Sequence, residues 1–428
     1  MRLCFIAHQG TKEGAGLFML DEIDYLVRRG VSVSAVVPWN GALAEALMDR
    51  GVEVAQVANP WWTKPRGLQQ AGDYEETLRA ARTMAALFSR WNIDIVYTET
   101  IVAPAGAFAA ALAGLPHVWH IHEFSYNSAG IEMAIARPSL ARLIDLTSNH
   151  VFFNSKVVAR EWDGLLPSEK TRVVYNWTSA PVDDSPPRLA DVVASSLLAD
   201  GTSFIVAIVG SIIPLKRQRD AIESVGNLLR EGFDVALLVV GPVVDPTYHT
   251  VLASLVQRNG WEQRVRFVGH AENPHAIMRR AGVTLVCSDG EAFGRVTVES
   301  MAQGTPVIGA DSGGTAEIIE DGVDGLLFPP GDVAALTDRL RSILRDESLR
   351  LRLTDGAKKK AARFHGAESV MSPVFELLTA LVGKSNPSWP LGILINAGFP
   401  DSASAERAAR LKRDRGKRLL RRLLGFPR

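Results

Sequence analysis

The sequence predicts an α/β protein built from two doubly wound parallel sheets. Three observations lead there. Short apolar runs alternate with helical patterns along residues 1–180 and again along residues 203–365. A Pro- and Asp-rich break at 181–202, PVDDSPPRLADVVASSLLADGT, reads as a linker between the two series. The 428 residues exceed what a single core of ordinary size organises.

In the first series, residues 2–7 read as a strand, and the polar turn TKEGAG leads into a helix over 17–29. Its apolar positions Leu17, Leu20, Ile23 and Val27 share a face, and Gly30 ends it. A strand at 31–37 and a helix at 42–49 follow. Residues 59–73 read as a loop, whose Trp61 and Trp62 form either an acceptor platform or plain packing. Next come a helix at 75–91, a strand at 93–98 and a helix at 104–113. The strand at 118–121 ends in a histidine-rich tip, His120-Ile-His122-Glu123. Alternation puts His120 and His122 on one face and Glu123 on the other. No third ligand stands nearby at a metal spacing, so no metal is assigned. A structural histidine at a strand end is the plain alternative. Strands at 150–153 and 172–175, with a helix at 156–163 between them, complete the half.

The second series opens with a strand at 204–209, a turn from Gly210 to Lys216 and a helix at 218–230. Lys216, at a helix start below a glycine turn, suits a phosphate by charge and dipole, or is simply solvated. A strand at 235–240, a helix at 248–259 and a strand at 265–269 follow, and residues 275–281 lead into the next stretch. The most informative stretch runs over 283–332: strand, polar turn, helix, strand, polar turn, helix. It carries Glu291 and Glu299 with seven residues between them, and Phe293, Gly294 and Arg295 in the turn. A helix starting near Gly294 aims its N–H groups and positive dipole end beyond the strand tip. A second such start follows Gly313 and Gly314. In open parallel sheets, ligands sit outside the carboxyl ends of the strands. Glutamates there accept hydrogen bonds from sugar hydroxyls. Physical chemistry alone stops at a nucleotide-like anion. Helices at 333–345, 348–363 and 367–382 close the pattern.

The string Glu291-Ala-Phe-Gly-Arg-Val-Thr-Val-Glu299, followed by Gly304-Thr-Pro-Val and Gly313-Gly-Thr-Ala-Glu317, resembles the donor-site signature of glycosyltransferase family 4. These are retaining enzymes of the GT-B fold, with two Rossmann-like domains facing across a cleft. The resemblance implies a nucleoside-diphosphate sugar as co-substrate, no cofactor and no metal. It implies a donor site of Gly210, Ser211, Lys216, Glu291, Phe293, Gly294, Arg295, Val296 and Glu299, with ribose on Glu299 and sugar on Glu291. His122, Lys216 and Glu291 are the catalytic candidates. Gly14, Ala15, Gly16, His120 and Glu123 fall on the acceptor side, although Gly14 to Gly16 also read as a simple strand–helix turn. His120 competes closely with His122 for the place near the transferred sugar. Two positions depart from the family pattern. Ser211 stands where arginine is usual, which leaves a diphosphate contact to Arg295 or Arg217, and Trp177 follows Asn176 where glycine is usual. The family also implies that the helix over 366–384 packs back on the first domain.

Residues 385–428 read as a basic tail, of which 385–400 is linker-like. From 401 onward it holds ten Lys or Arg against three Asp or Glu, a net of +7, interleaved with Leu411, Leu419, Leu420, Leu423 and Leu424. It reads as a solvated tail, as a contact for an anionic membrane surface, or less readily as a nucleic-acid contact. The formal net charge of zero argues against a nucleic-acid partner for the whole chain. Cys4 and Cys287 both lie in apolar strands and read as reduced core residues. The N-terminus reads as a first strand rather than a signal peptide, and no apolar run reaches the roughly 18 residues of a membrane span. A cytoplasmic protein at the inner face of the membrane is the expectation, with a glycan or lipid-linked glycan acceptor in cell-surface polysaccharide synthesis. The alternatives are a sugar-nucleotide epimerase or hydrolase on the same fold and a non-catalytic sugar-nucleotide-binding partner of a membrane assembly. A dinucleotide oxidoreductase is disfavoured, because no G-x-G-x-x-G follows the first strand.

Overall fold

A computed structural model describes residues 1–12, 14–65, 74–124, 131–133, 136–177, 204–271, 273–364 and 366–386. The linker reading of 181–202 and the membrane-surface reading of 401–428 lie outside the described residues. The chain divides into two compact units, one of Met1–Tyr175 with Ala367–Arg428, the other of Asn176–Gly366.

The first unit contains β1 (Arg2–Ile6), β2 (Ser32–Val37), β3 (Glu53–Gln56), β4 (Thr63–Pro65), β5 (Ile95–Glu99), β6 (His117–Ile121), β7 (Ile131–Met133), β8 (His150–Phe153) and β9 (Thr171–Val173). Seven of them form one sheet in the order β3-β2-β1-β5-β6-β8-β9, every pair parallel. β4 and β7 pair antiparallel as a separate ribbon. The central strands are buried on both faces, as packing beneath helices on two sides requires. Phe5, Tyr97, Trp119 and Phe152 are fully buried in this core. The order of strands reverses between β1 and β5, which makes their carboxyl ends the switch point of the sheet.

The helix Gly14–Arg28 starts three residues earlier than its apolar pattern suggests, so the glycines form its first turn. Gly16 is needed there, because a Cβ would stand 2.8 Å from the Thr11 carbonyl oxygen. The helix Glu368–Leu381 belongs to this unit. Tyr25 Oη donates to Glu368 Oε2 at 3.1 Å, Arg29 pairs with the same carboxylate, and its guanidinium lies 5.6 Å from the Phe375 ring centre. Asn386 then donates to the carbonyls of Leu115 and Thr147, both at 3.1 Å.

The second unit has β10 (Phe204–Val209), β11 (Val235–Val240), β12 (Val265–Gly269), β13 (Val283–Val286), β14 (Val307–Ala310) and β15 (Leu326–Phe328). They form one parallel sheet in the order β12-β11-β10-β13-β14-β15. Alternation along β10 sends Val206 and Ile208 into one core layer and Ile205 and Ala207 into the other. Here the strand order reverses between β10 and β13. Among the described residues no helix is long and apolar enough to cross a membrane.

Candidate functional site

In the second unit, the two segments predicted to carry donor chemistry leave the two strands that flank the switch point. Gly210 to Lys216 follow β10, and Glu291 to Glu299 follow β13. Gly210 takes φ +149°, a left-handed conformation that favours glycine, and its N–H donates to the Val240 carbonyl at 2.8 Å. The Ser211 carbonyl accepts from Gln218 Nε2 at 2.9 Å, which fastens the turn to the helix Gln218–Arg230. Lys216 closes a short 3₁₀ turn, and its Nζ lies 2.5 Å from Glu291 Oε1. Burial pushes the Glu291 carboxyl up, but the adjacent Lys216 ammonium outweighs it and holds the group below the usual carboxylate range.

Glu299 is held from two sides. Arg295 Nε and Nη2 approach its Oε1 at 3.2 and 3.1 Å, and His275 Nε2 stands 3.8 Å from Oε2. Burial opposes ionisation, yet His275 and Arg295 prevail and lower its pKa to about 2. Glu299 is therefore a carboxylate that only accepts hydrogen bonds at neutral pH. Arg295 was expected between the two glutamates, and the structure commits it to Glu299 instead. Arg217 is paired with Asp220 at 2.7 Å. His275 drew no reading from the sequence; the structure places it in the first turn of the helix Pro274–Arg280.

The two glycine-bearing turns press against each other. The Gly314 N–H donates to the Glu291 carbonyl at 2.6 Å. A Cβ on Gly313 would stand 2.3 Å from that carbonyl oxygen, and one on Gly314 would stand 2.2 Å from the Phe293 oxygen. Phe293 is buried and meets Phe364 edge-on at 5.9 Å. Gly294, at φ +95°, caps the helix Arg295–Ala302, whose second residue is Val296. The second helix, Gly313–Ile318, starts at the glycines themselves rather than after Thr315. The arrangement presents an ammonium, two ionised carboxylates and two helix starts at the carboxyl end of one sheet.

In the first unit the expectations need correction. His120 is fully buried, so it is not placed to meet an acceptor. Glu123 uses Oε1 to accept the Ile101 N–H at 3.1 Å and Oε2 to accept the His122 N–H at 2.8 Å. It ties the ends of β5 and β6 together, and burial raises its pKa to about 7 despite these bonds. Trp62 is core: it is buried, donates to the Ile101 carbonyl at 2.6 Å and stacks on Trp119. Trp61 stays exposed and donates to the His8 carbonyl at 3.0 Å. Gly14 and Ala15, in the first turn of their helix, remain accessible.

His122 has a partner that the sequence reading missed. Its Nε2 lies 2.6 Å from Glu99 Oε2 at the end of β5. The parallel register opposes Glu99 to His120, and the His120 and His122 rings lie 4.1 Å apart, on one face as alternation requires. A third metal-type ligand therefore does stand beside the two histidines, brought by strand pairing rather than by sequence spacing. The detectable signal was Tyr97 and Glu99, two polar residues at strand period in the run IVYTE.

Comparison with known proteins bears on this geometry. Residues 193–360 match the family model described as glycosyl transferases group 1, and residues 13–179 match that of glycosyltransferase family 4. A D-inositol 3-phosphate glycosyltransferase of Jonesia denitrificans is 33% identical over 303 residues, 66% of this chain and 70% of that protein. An N-acetyl-alpha-D-glucosaminyl L-malate synthase of Bacillus anthracis is 32% identical over 158 residues, 37% of this chain and only 40% of the relative's length. A crystal structure of Anabaena HepE in complex with UDP superposes with a TM-score of 0.73 at 21% identity, covering 89% of this chain and all of that one. The fold, the two family models and the Jonesia relative agree with the resemblance carried by the Glu291–Glu299 string, and the chain belongs to glycosyltransferase family 4, with the two Rossmann-like units of the GT-B fold.

Proposed function

We propose that this protein moves a glycosyl residue, with retention of anomeric configuration, from a nucleoside-diphosphate sugar to a hydroxyl acceptor. The observation that carries this reading is the Lys216–Glu291 contact at the switch point of the second sheet, flanked by two glycine-opened helix starts. The ribose hydroxyls would bond to the ionised Glu299, and the sugar would approach Glu291. Lys216 and the helix N-termini would offset charge that develops on the leaving diphosphate. The leaving phosphate itself would take the acceptor proton on the same face. His122 would orient the sugar or acceptor. Ser211 removes one cation from the diphosphate site, and Arg295 supplies a substitute only if nucleotide binding loosens its bond to Glu299. UDP is the first nucleotide to try, because HepE is described in complex with it. A glycan or lipid-linked glycan acceptor, and service in polysaccharide synthesis at the membrane, belong to the same proposal.

Nucleotide release from a panel of sugar nucleotides and simple glycan acceptors tests it, with the product anomer read by NMR. Turnover with retained configuration, reduced at least about 100-fold in Glu291→Ala and Lys216→Ala, is expected. Nucleotide binding without turnover on any acceptor would favour a non-catalytic sugar-nucleotide-binding protein. Free sugar or an epimer formed without an acceptor would favour a hydrolase or epimerase.

A further inference from the structure

Five titratable side chains meet in the interior of the first unit. Glu22 comes from the helix Gly14–Arg28, Tyr97 and Glu99 from β5, His120 from β6 and His122 from the residue just after it. Glu22, Tyr97 and His120 are 0% exposed, Glu99 1% and His122 9%. Two carboxyl groups in so dry a place need either positive charge nearby or a shared proton. Among the described residues, the ion-pair partners of Glu22 and Glu99 are His120 and His122, with no Lys or Arg.

The hydrogen bonds assign a tautomer. Tyr97 has one hydroxyl proton, which it donates to Glu22 Oε1 at 2.8 Å. His120 Nδ1 lies 2.9 Å from the same hydroxyl and 3.3 Å from Glu22 Oε1, so Nδ1 carries the proton there. A neutral His120 then presents a lone pair on Nε2. That nitrogen is buried and has no hydrogen-bond partner, while the Glu99 and Glu22 carboxyls meet through a side-chain hydrogen bond of their own. A histidine whose Nδ1–H is fixed by a phenol and a carboxylate, with the other nitrogen's lone pair left unused, has the outer partners of a metal ligand. Ligand atoms of Glu99, His120 and His122 all lie within 4.8 Å of one another. Two imidazoles and a carboxylate form a donor set that suits zinc.

We propose that Glu99, His120 and His122 bind one divalent cation of the zinc type, with Glu22 and Tyr97 orienting His120. The cation takes the place of the proton between His122 Nε2 and Glu99 Oε2, and that proton leaves to solvent. Bound there, it cross-links β5 to β6 and fixes the His122 ring at the strand end. Its charge offsets the Glu99 carboxylate that forms when that proton leaves.

The test uses the full chain, stripped with a chelator and titrated with zinc and, separately, with cobalt(II). One metal per chain is expected, with a visible cobalt absorption band and a higher Tm with zinc than without. His120→Gln should abolish binding. Tyr97→Phe should keep the one-to-one stoichiometry with affinity weakened about 10–100-fold. A wild-type protein that shows no cobalt band and no zinc-dependent Tm overturns the proposal, and means that shared protons alone hold the cluster. Binding unchanged in a folded His120→Gln protein overturns it as well. The wild-type titration decides the matter even if a variant fails to fold. Metal content is read without turnover, so its failure is distinct from failure of the transferase reading.

Discussion

Glu299 is the residue where charge and burial compete most openly. Its carboxyl is held at about 2 against an ordinary 4.5. The folded protein therefore binds that proton less tightly than the unfolded chain does. The stability this contributes is complete above pH 4.5 and is lost as pH falls toward about 2, an upper bound of about 3 kcal/mol. Urea unfolding of wild type and Glu299→Gln at pH 6, 5, 4 and 3 should show the wild-type advantage shrinking through the acid range. A constant gap between the two proteins would contradict the pairing with Arg295 and His275. The glycines make a second prediction at this scale. Gly314→Ala forces a Cβ against the Phe293 carbonyl, where backbone rather than a flexible side chain must yield. It should cost about 1–3 kcal/mol by chemical denaturation and weaken nucleotide binding as well. The glutamates, Lys216 and these glycines were all legible in the sequence, because they sit within short, local turns or, for Glu299, in the first turns of the helix that follows. Glu22, Tyr97 and Glu99 were not, because they come from separate elements and meet only through strand register and helix packing.

Elements with contiguous apolar runs were equally legible. The strands over 204–209, 235–240 and 265–269 stand at the bounds the sequence suggests. The first two are buried, and the third, an edge strand, is largely half-buried; each carries enough apolar residues in a row to be recognised without a partner. The strands that escaped notice are short and marginal. β3, EVAQ, is an edge strand with only partly buried side chains, and β15 has three residues. β4 and β7 exist only through their mutual pairing. Such strands are set by neighbours rather than by their own pattern. The helix Glu368–Leu381 gives the prediction at this scale. Leu378 is fully exposed to core contacts and not to solvent, at 0% accessible. Leu378→Ala should destabilise the protein by about 2–5 kcal/mol. An unchanged unfolding midpoint would show that this helix adds nothing to the first unit.

At the scale of the whole molecule, the chain repeats one solution twice: a parallel sheet whose strand order reverses at its centre. The two units use that point differently. In the second, Lys216 and Glu291 converge there beside paired helix starts. In the first, β5 and β6 end in a buried cluster of acids and histidines. On the proposed reading, the donor chemistry falls to the second unit. Calorimetric titration of the intact protein with UDP, GDP, ADP and TDP, wild type beside Glu299→Ala, tests that claim most directly. The account predicts saturable binding of one nucleotide by the wild type and its loss in a variant that remains folded. No binding of any nucleotide by folded wild-type protein, or equal binding by Glu299→Ala, would contradict it.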